Sequence, residues 1–272
     1  MHSYSSTIDY NSNWLDKALE QIRFNGFAII KDVLTPEECQ DCIEAAYIVK
    51  ERIHAELGED RLSMALNDGY CELRLILAYH DLFLDMLTRP EVAATVDALL
   101  SPTAILRFQN LEIIDPPNPG IPVARQLYFH QNTTRLHPGY VDSIDMLYAV
   151  SDTELDVVPG THQHEDEPSM EFLDAFSTTI KLPAGHLFIM DSTLWHKENS
   201  GNVDHTRVSI GCQFTRSYFK PHFDYPRALG EDKIIKLPER VQNMLGWHTR
   251  IPTSLDEFYQ PTEKRLYRPG QD

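Results

Sequence analysis

Two histidines and a side-chain oxygen are donors with which a protein can hold a redox-active divalent metal, and this chain carries such a set. Tyr128-Phe129-His130-Gln131-Asn132 places His130 and Asn132 two residues apart, and Leu194-Trp195-His196 follows much later. On a strand, side chains two apart project from one face, so His130 and Asn132 would converge with Tyr128 beside them. Two histidines with one oxygen donor fit a mononuclear non-haem iron site, whose third ligand is ordinarily a carboxylate. Here that place holds Asn132, a neutral carboxamide that offsets none of the metal's charge. Losing only an outer partner of a metal ligand costs roughly 10–100-fold in affinity or activity, so losing an anionic ligand should cost at least as much. With 12 histidines in the chain, neither His130 nor His196 is distinctive alone. Asp142 and Asp145 are carboxylates that could substitute, although their spacing singles out neither.

The elements that must present these residues can be read from periodicity. Apolar residues recur at helical spacing near 14–23, 35–57 and 90–99, with a short apolar strand, Phe27-Ala28-Ile29-Ile30, between the first two. Thr35-Pro36-Glu37-Glu38 opens the second helix, with Thr35 as N-cap and Glu38 as its capping-box partner. From about Thr103 the texture changes to strand-like runs at 104–114, 127–132, 144–150, 178–182, 186–191 and 206–218, separated by Pro- and Gly-rich turns. A mostly helical flank over 1–100, strands over 103–220 and a C-terminal extension over 221–272 predict one α+β domain with a jelly-roll core. In the last strand, Val208, Ile210, Cys212 and Phe214 alternate with Arg207, Ser209, Gly211, Gln213 and Thr215. The apolar face would pack beneath the helices. The small, polar face with its one arginine suits a pocket wall or, equally, a solvent-facing side.

A formal charge of -17 sets a repulsive field against nucleic acid, anionic membranes and strongly anionic substrates. A neutral or cationic small molecule is the expected partner, with no nucleic acid and no membrane. No basic start leads into an apolar stretch, and no apolar run approaches the ~20 residues needed to span a bilayer, so a cytoplasmic location is expected. Cys39 and Cys42 form a CxxC inside the second helical pattern, without a second pair at zinc-site spacing, and read as ordinary helix residues.

Further motifs join the two histidines. Asp156-Val157-Val158-Pro159-Gly160-Thr161-His162 lies between them, Asn199 stands three residues after His196, and Arg207 eleven after it. Together they resemble the phytanoyl-CoA dioxygenase family of iron(II)/2-oxoglutarate oxygenases, as do residues 25–38 and 237–246. The resemblance implies a double-stranded β-helix, a jelly roll flanked by N-terminal helices. It also implies His130 and His196 as iron ligands, with Asn132 where the family has Asp. Arg207 would pair with the distal carboxylate of 2-oxoglutarate, for which a planar guanidinium is suited. Ser209, Gln109, Asn110 and Tyr128 are candidates for holding the other end of that co-substrate, and His162 and His164 read as surface or supporting groups.

The activity so implied is an Fe(II)-, 2-oxoglutarate- and O2-dependent oxidation, such as hydroxylation, of a C–H bond in a small organic substrate, with release of succinate and CO2. His130, His196 and Arg207 would carry it, and Tyr218, His222, Phe223 and Trp247 could line the substrate's way in. The alternative is a metal-impaired or non-catalytic jelly-roll binding protein, for which Asn132 speaks. Against that stands the retention of His130, His196, Asn199 and Arg207 in register. Halogenation is less favoured, because related iron halogenases carry Gly or Ala where this chain has the bulkier Asn132.

Overall fold

Helix α1 (Trp14–Asn25) buries Ala18 and Ile22 and stops at Gly26, which takes a left-handed conformation at φ 90° and donates its N–H to the Ile22 carbonyl. Helix α2 (Pro36–Leu57) starts at the expected capping box. The Thr35 hydroxyl accepts from Glu38 N–H at 3.2 Å, and Thr35 N–H donates to Glu38 Oε2 at 2.7 Å. Its buried residues, Cys39, Cys42, Ala45, Ala46, Val49 and Ile53, recur every three or four positions, so both cysteines are core residues of one helix face. The computed structural model describes residues 7–11, 13–62, 66–67, 70–116, 128–137, 139–198 and 205–268.

The described strands, in chain order, are β1 (Ile8–Asp9), β2 (Phe27–Lys31), β3 (Leu66–Asn67), β4 (Tyr70–Arg74), β5 (Ile105–Ile114) and β6 (Ser143–Ala149). After them come β7 (Thr153–Val157), β8 (Thr178–Leu182), β9 (Leu187–Asp191), β10 (His196–Glu198) and β11 (Arg207–Thr215). They form a large sheet in the order β1-β2-β9-β6-β11-β5-β4-β3 and a small sheet in the order β10-β7-β8. This is the expected α+β jelly-roll architecture. Every residue of β9 is buried, as its unbroken apolar run Leu-Phe-Ile-Met requires of a strand covered on both faces.

The described residues form three apolar clusters, two of them large. Val208, Ile210, Cys212 and Phe214 of β11 join the helices on the outer side of the large sheet. Phe27, Ile29, Leu155, Val157, Ile180, Leu182, Phe188 and Met190 fill the space between the two sheets. Two expectations need correction. Tyr70–Arg74 is a strand inside the region read as helical, because its alternating burial is too short a pattern to stand out in sequence. The run 127–132 is not a regular strand. Residue 127 lies outside the described residues, and within 128–132 the pairing is a single bridge at His130. Among the described residues, no helix is long and apolar enough to cross a membrane.

Gly26 joins the helical layer to the segment that carries His196. A Cβ there would fall 2.6 Å from both His162 Nδ1 and Leu194 Cδ1, at a φ that L side chains rarely adopt. Gly26→Ala is therefore expected to cost about 2–4 kcal/mol through left-handed strain and overpacking. The chemical-denaturation midpoint reads this cost; an unchanged midpoint would show that the turn relaxes freely.

Candidate functional site

His130 and His196 come from distant parts of the chain and are joined through the backbone. His130 N–H donates to the His196 carbonyl at 2.9 Å, and His196 N–H donates back at 3.0 Å. This bridge sets the two imidazoles side by side, with ring centroids 4.4 Å apart. The Nδ1 atoms of both turn to main-chain carbonyls, His130 to Tyr128 at 3.3 Å and His196 to Leu194 at 2.8 Å. When those Nδ1 atoms carry the protons, each Nε2 keeps the lone pair that a metal needs. Burial, reinforced by the neighbouring His130, pushes the His196 pKa down to about 3, so its ring stays in the neutral, coordinating form.

Local packing explains why the chain bends this way. Phe129, immediately before cavity-lining His130, buries itself with Val158 and Leu173 and against Trp195. Asn132 N–H donates to the Ser192 carbonyl at 3.0 Å, fixing the segment's far end. The Val-Pro-Gly-Thr-His turn supports the His196 side. Thr161 Oγ1 donates to the Val158 carbonyl at 2.7 Å and accepts from Trp195 N–H at 3.1 Å, one residue before His196. His162 is buried against the Arg23 carbonyl, 3.2 Å from its Nε2, and His164 is exposed. Both therefore lie outside the cavity, and His162 is a supporting group.

His130, Asn132 and His196 open into a cavity of about 280 Å³ whose wall is the inner face of the large sheet. Pairing places Ser209 opposite Glu112 and Gly211 opposite Asn110, with Glu72 and Arg74 on the next strand. Arg207 is buried to 5% exposure and lines the cavity with Ser209, whose hydroxyl lies 3.3 Å from Glu112 Oε2. The polar face of β11 is thus a pocket wall, which settles the alternative that sequence left open. Asn110 Nδ2 donates to Glu72 at 3.1 Å and Glu112 at 3.0 Å. Gly211 permits this, since a Cβ there would meet Asn110 Oδ1 at 2.2 Å.

Asp145, from β6, lines the same cavity at 8% exposure. Its carboxylate accepts from Gln213 Nε2 at 3.1 and 3.3 Å. Burial raises its pKa to about 6, while hydrogen-bonding contact with Ser192, Asn132 and Gln213 works in the opposite direction. Asp142 serves elsewhere, accepting from the Tyr218 hydroxyl at 2.6 Å. Among the described residues, no three His, Cys, Asp or Glu side chains gather closely enough to hold an ion. Asp145 and Asn132 both line the cavity that His130 and His196 open into.

Several expected residues fall elsewhere. Gln109 is turned away from the cavity, because strand alternation gives Asn110 the inner face; its Nε2 donates to the Phe83 carbonyl at 2.9 Å. Tyr128 is exposed; its carbonyl lies 3.3 Å from His130 Nδ1, and its ring meets the His130 ring edge-on at 6.1 Å between centroids. Phe223 and Trp247 pack against the helix-side core, and Tyr218 is tied to Asp142. His222 stacks on cavity-lining Phe108 with centroids 5.0 Å apart. Asn199 lies outside the described residues. Sequence reasoning missed Glu72, Glu112, Glu154 and Glu198, all of which line the cavity. The signal was present for Glu112, which shares the inward parity of Asn110 on a strand legible in the sequence.

Known proteins share this arrangement of elements. The structure of HygX from Streptomyces hygroscopicus with nickel and 2-oxoglutarate bound superposes with a TM-score of 0.59 at 14% identity, covering 75% of this chain and 88% of that one. SnoK, a non-heme alpha-ketoglutarate-dependent carbocyclase from nogalamycin biosynthesis, gives 0.53 at 15% identity, covering 73% and 83%. At such identities the likeness is one of fold. An uncharacterized protein of Mycobacterium tuberculosis is 39% identical over 267 residues, 96% of this chain and 97% of its own length. The family model for phytanoyl-CoA dioxygenase matches residues 22–202, a stretch that contains both histidine segments and the turn that supports them. The chain belongs to the phytanoyl-CoA dioxygenase (PhyH) family.

Proposed function

We propose that the protein is an Fe(II)- and 2-oxoglutarate-dependent oxygenase that oxidises a C–H bond of a small, polar, neutral or cationic substrate. The observation that carries this reading is the pair of buttressed imidazoles, ring centroids 4.4 Å apart, opening onto the same cavity as buried Arg207. His130 and His196 would hold the metal through Nε2, and Asn132 through its carboxamide oxygen. Fe(II) with 2-oxoglutarate supplies the activation of O2 and the oxidising power, with succinate and CO2 as by-products. Arg207 presents a fork of donors to the distal carboxylate of the co-substrate, with the Ser209 hydroxyl beside it. Leu155, Phe188 and Met190 give the cavity an apolar side that excludes water from the reacting groups.

The substrate class follows from the lining. Glu72, Glu112, Asp145, Glu154 and Glu198 face Arg74 and Arg207, so carboxylates outnumber guanidinium groups. An amine-bearing or polyhydroxylated molecule suits such walls better than an anion. HygX, crystallised with nickel, 2-oxoglutarate and hygromycin B, shows that the fold accommodates a ligand beside metal and co-substrate.

The test is anaerobic addition of Fe(II) and 2-oxoglutarate, watching for the weak visible charge-transfer band of the chelated co-substrate, followed by O2-dependent succinate release. Both signals are expected. Their joint absence would favour the second reading, a binding protein with a disabled metal site, for which Asn132 is the supporting observation. Appearance of both only in Asn132→Asp would settle the matter in favour of that reading.

A further inference from the structure

The segment that carries His130 and Asn132 is held by no strand ladder, yet a metal site tolerates ligand distances only within about 0.2 Å of their normal values. The bridge between His130 and His196 fixes its start. Further along, Asn132 and Thr133 donate their N–H groups to the Ser192 carbonyl at 3.0 and 3.2 Å. Beyond them the segment ends on Arg135, whose side chain is 13% exposed and pairs at 3.0 Å with Asp191, 3% exposed.

The Arg135 guanidinium ties its own segment to three others. Its Nη2 lies 3.0 Å from Asp191 Oδ2, 2.9 Å from Thr193 Oγ1 and 2.6 Å from the His162 carbonyl. Its Nη1 donates to the Tyr140 carbonyl at 2.8 Å. Asp191 uses its other oxygen to shape the turn that leads to His196. Oδ1 accepts from Thr193 N–H at 2.9 Å and from the Thr193 hydroxyl at 2.6 Å. The same turn closes through Leu194 N–H on the Asp191 carbonyl at 2.9 Å, and Gln131 Nε2 donates to the Thr193 carbonyl. Among the described residues, the cavity lining includes none of Arg135, Asp191 and Thr193. The cluster can therefore act on a bound metal only through the segments that carry its ligands.

We propose that Arg135, Asp191 and Thr193 form a positioning strut for the metal centre: by locking residues 130–135 to the turn 191–194, they set the separation of His130 and His196. A guanidinium suits this task, because its planar fork fixes directions as well as distances. Bridge and strut hold the ligand segment at its two ends, and such outer support is what keeps coordinating side chains in place. The proposal rests on reading His130 and His196 as metal ligands.

Co(II) titration of the full chain by calorimetry, without co-substrate, tests it, alongside thermal melting of the metal-free protein. The informative variant is Arg135→Gln/Asp191→Asn, which removes both charges together and so buries no unpaired ion. Its Co(II) affinity is expected to fall by about 10–100-fold, the range for outer partners of metal ligands, and the visible Co(II) absorption to change shape. Arg89→Gln/Glu91→Gln is the control, since it neutralises another buried pair, joined at 2.5 Å in the helical layer. Whatever it does to the melting temperature, it should leave Co(II) affinity unchanged. Undiminished affinity in folded Arg135→Gln/Asp191→Asn would overturn the proposal. So would an equal fall in the control, because metal affinity would then follow general stability. If the double variant fails to fold, Thr193→Val decides: weaker Co(II) binding at an unchanged melting temperature supports the strut, and unchanged binding overturns it. His196→Ala separates the strut from the reading beneath it. Loss of Co(II) binding there, with none in Arg135→Gln/Asp191→Asn, leaves the metal site standing and removes the strut. Absence of Co(II) binding by the unaltered protein overturns both.

Discussion

Alanine at position 196 is expected to reduce Fe(II) affinity by on the order of 10²-fold or more, since even outer partners of metal ligands are worth roughly 10–100-fold. His196 is buried, held neutral by its surroundings and oriented by the Leu194 carbonyl, so nearly all its ordering serves Nε2. The bridge to His130 is made by main-chain atoms and survives the substitution. The metal-free variant should therefore keep its secondary structure while losing both the calorimetric Fe(II) signal and the charge-transfer band. Undiminished Fe(II) affinity in a folded His196→Ala protein would take His196 out of the metal centre. His162→Ala is the useful contrast. His162 is also a buried histidine, but it lies outside the cavity, and its removal should lower stability before it touches metal affinity.

The second large effect concerns Arg207. Truncating one partner of a buried, hydrogen-bonded charge pair costs about 2–5 kcal/mol, and each ~1.4 kcal/mol is a factor of ten. Arg207→Ala should accordingly weaken 2-oxoglutarate binding by about 30-fold to several thousand-fold. The loss should appear mainly in the KM for 2-oxoglutarate, with Fe(II) affinity measured without co-substrate little changed. Arg207→Lys keeps the charge and loses the planar fork, so it should fall between the two. Equal 2-oxoglutarate affinity in all three proteins would show that the guanidinium does not receive the co-substrate. A parallel fall in Fe(II) affinity would show that Arg207 supports the metal wall instead.

Local signals were legible where chemistry repeats along the chain. The Thr35–Glu38 capping box, the apolar spacing of α2 and the alternation of β11 each follow from forces acting within a few residues, and each appears as expected. The strands β4, β7 and β10 were not found. Each is at most five residues long, and β7 carries acidic residues at positions that only a facing sheet makes sensible. Gln109 and Asn110 show the limit within one strand. Both are polar and adjacent, and only the parity set by pairing with β11 decides that Asn110 faces the cavity while Gln109 faces Phe83.

Sequence by itself supplied the candidate donors: two histidines, an asparagine where the family has an aspartate, and an arginine on an alternating strand. Residue type fixes which atoms can coordinate or donate, and no fold changes that. The tertiary structure decided who meets whom. His130 and His196 become neighbours through a one-residue bridge, and glutamates from β4 and β5 gather on one wall because those strands pair in register. The placement of Asp145 on the cavity wall was decided in the same way. It arises from strand order and an inward side-chain parity, long-range pairings that leave no mark in the spacing of residues along the chain.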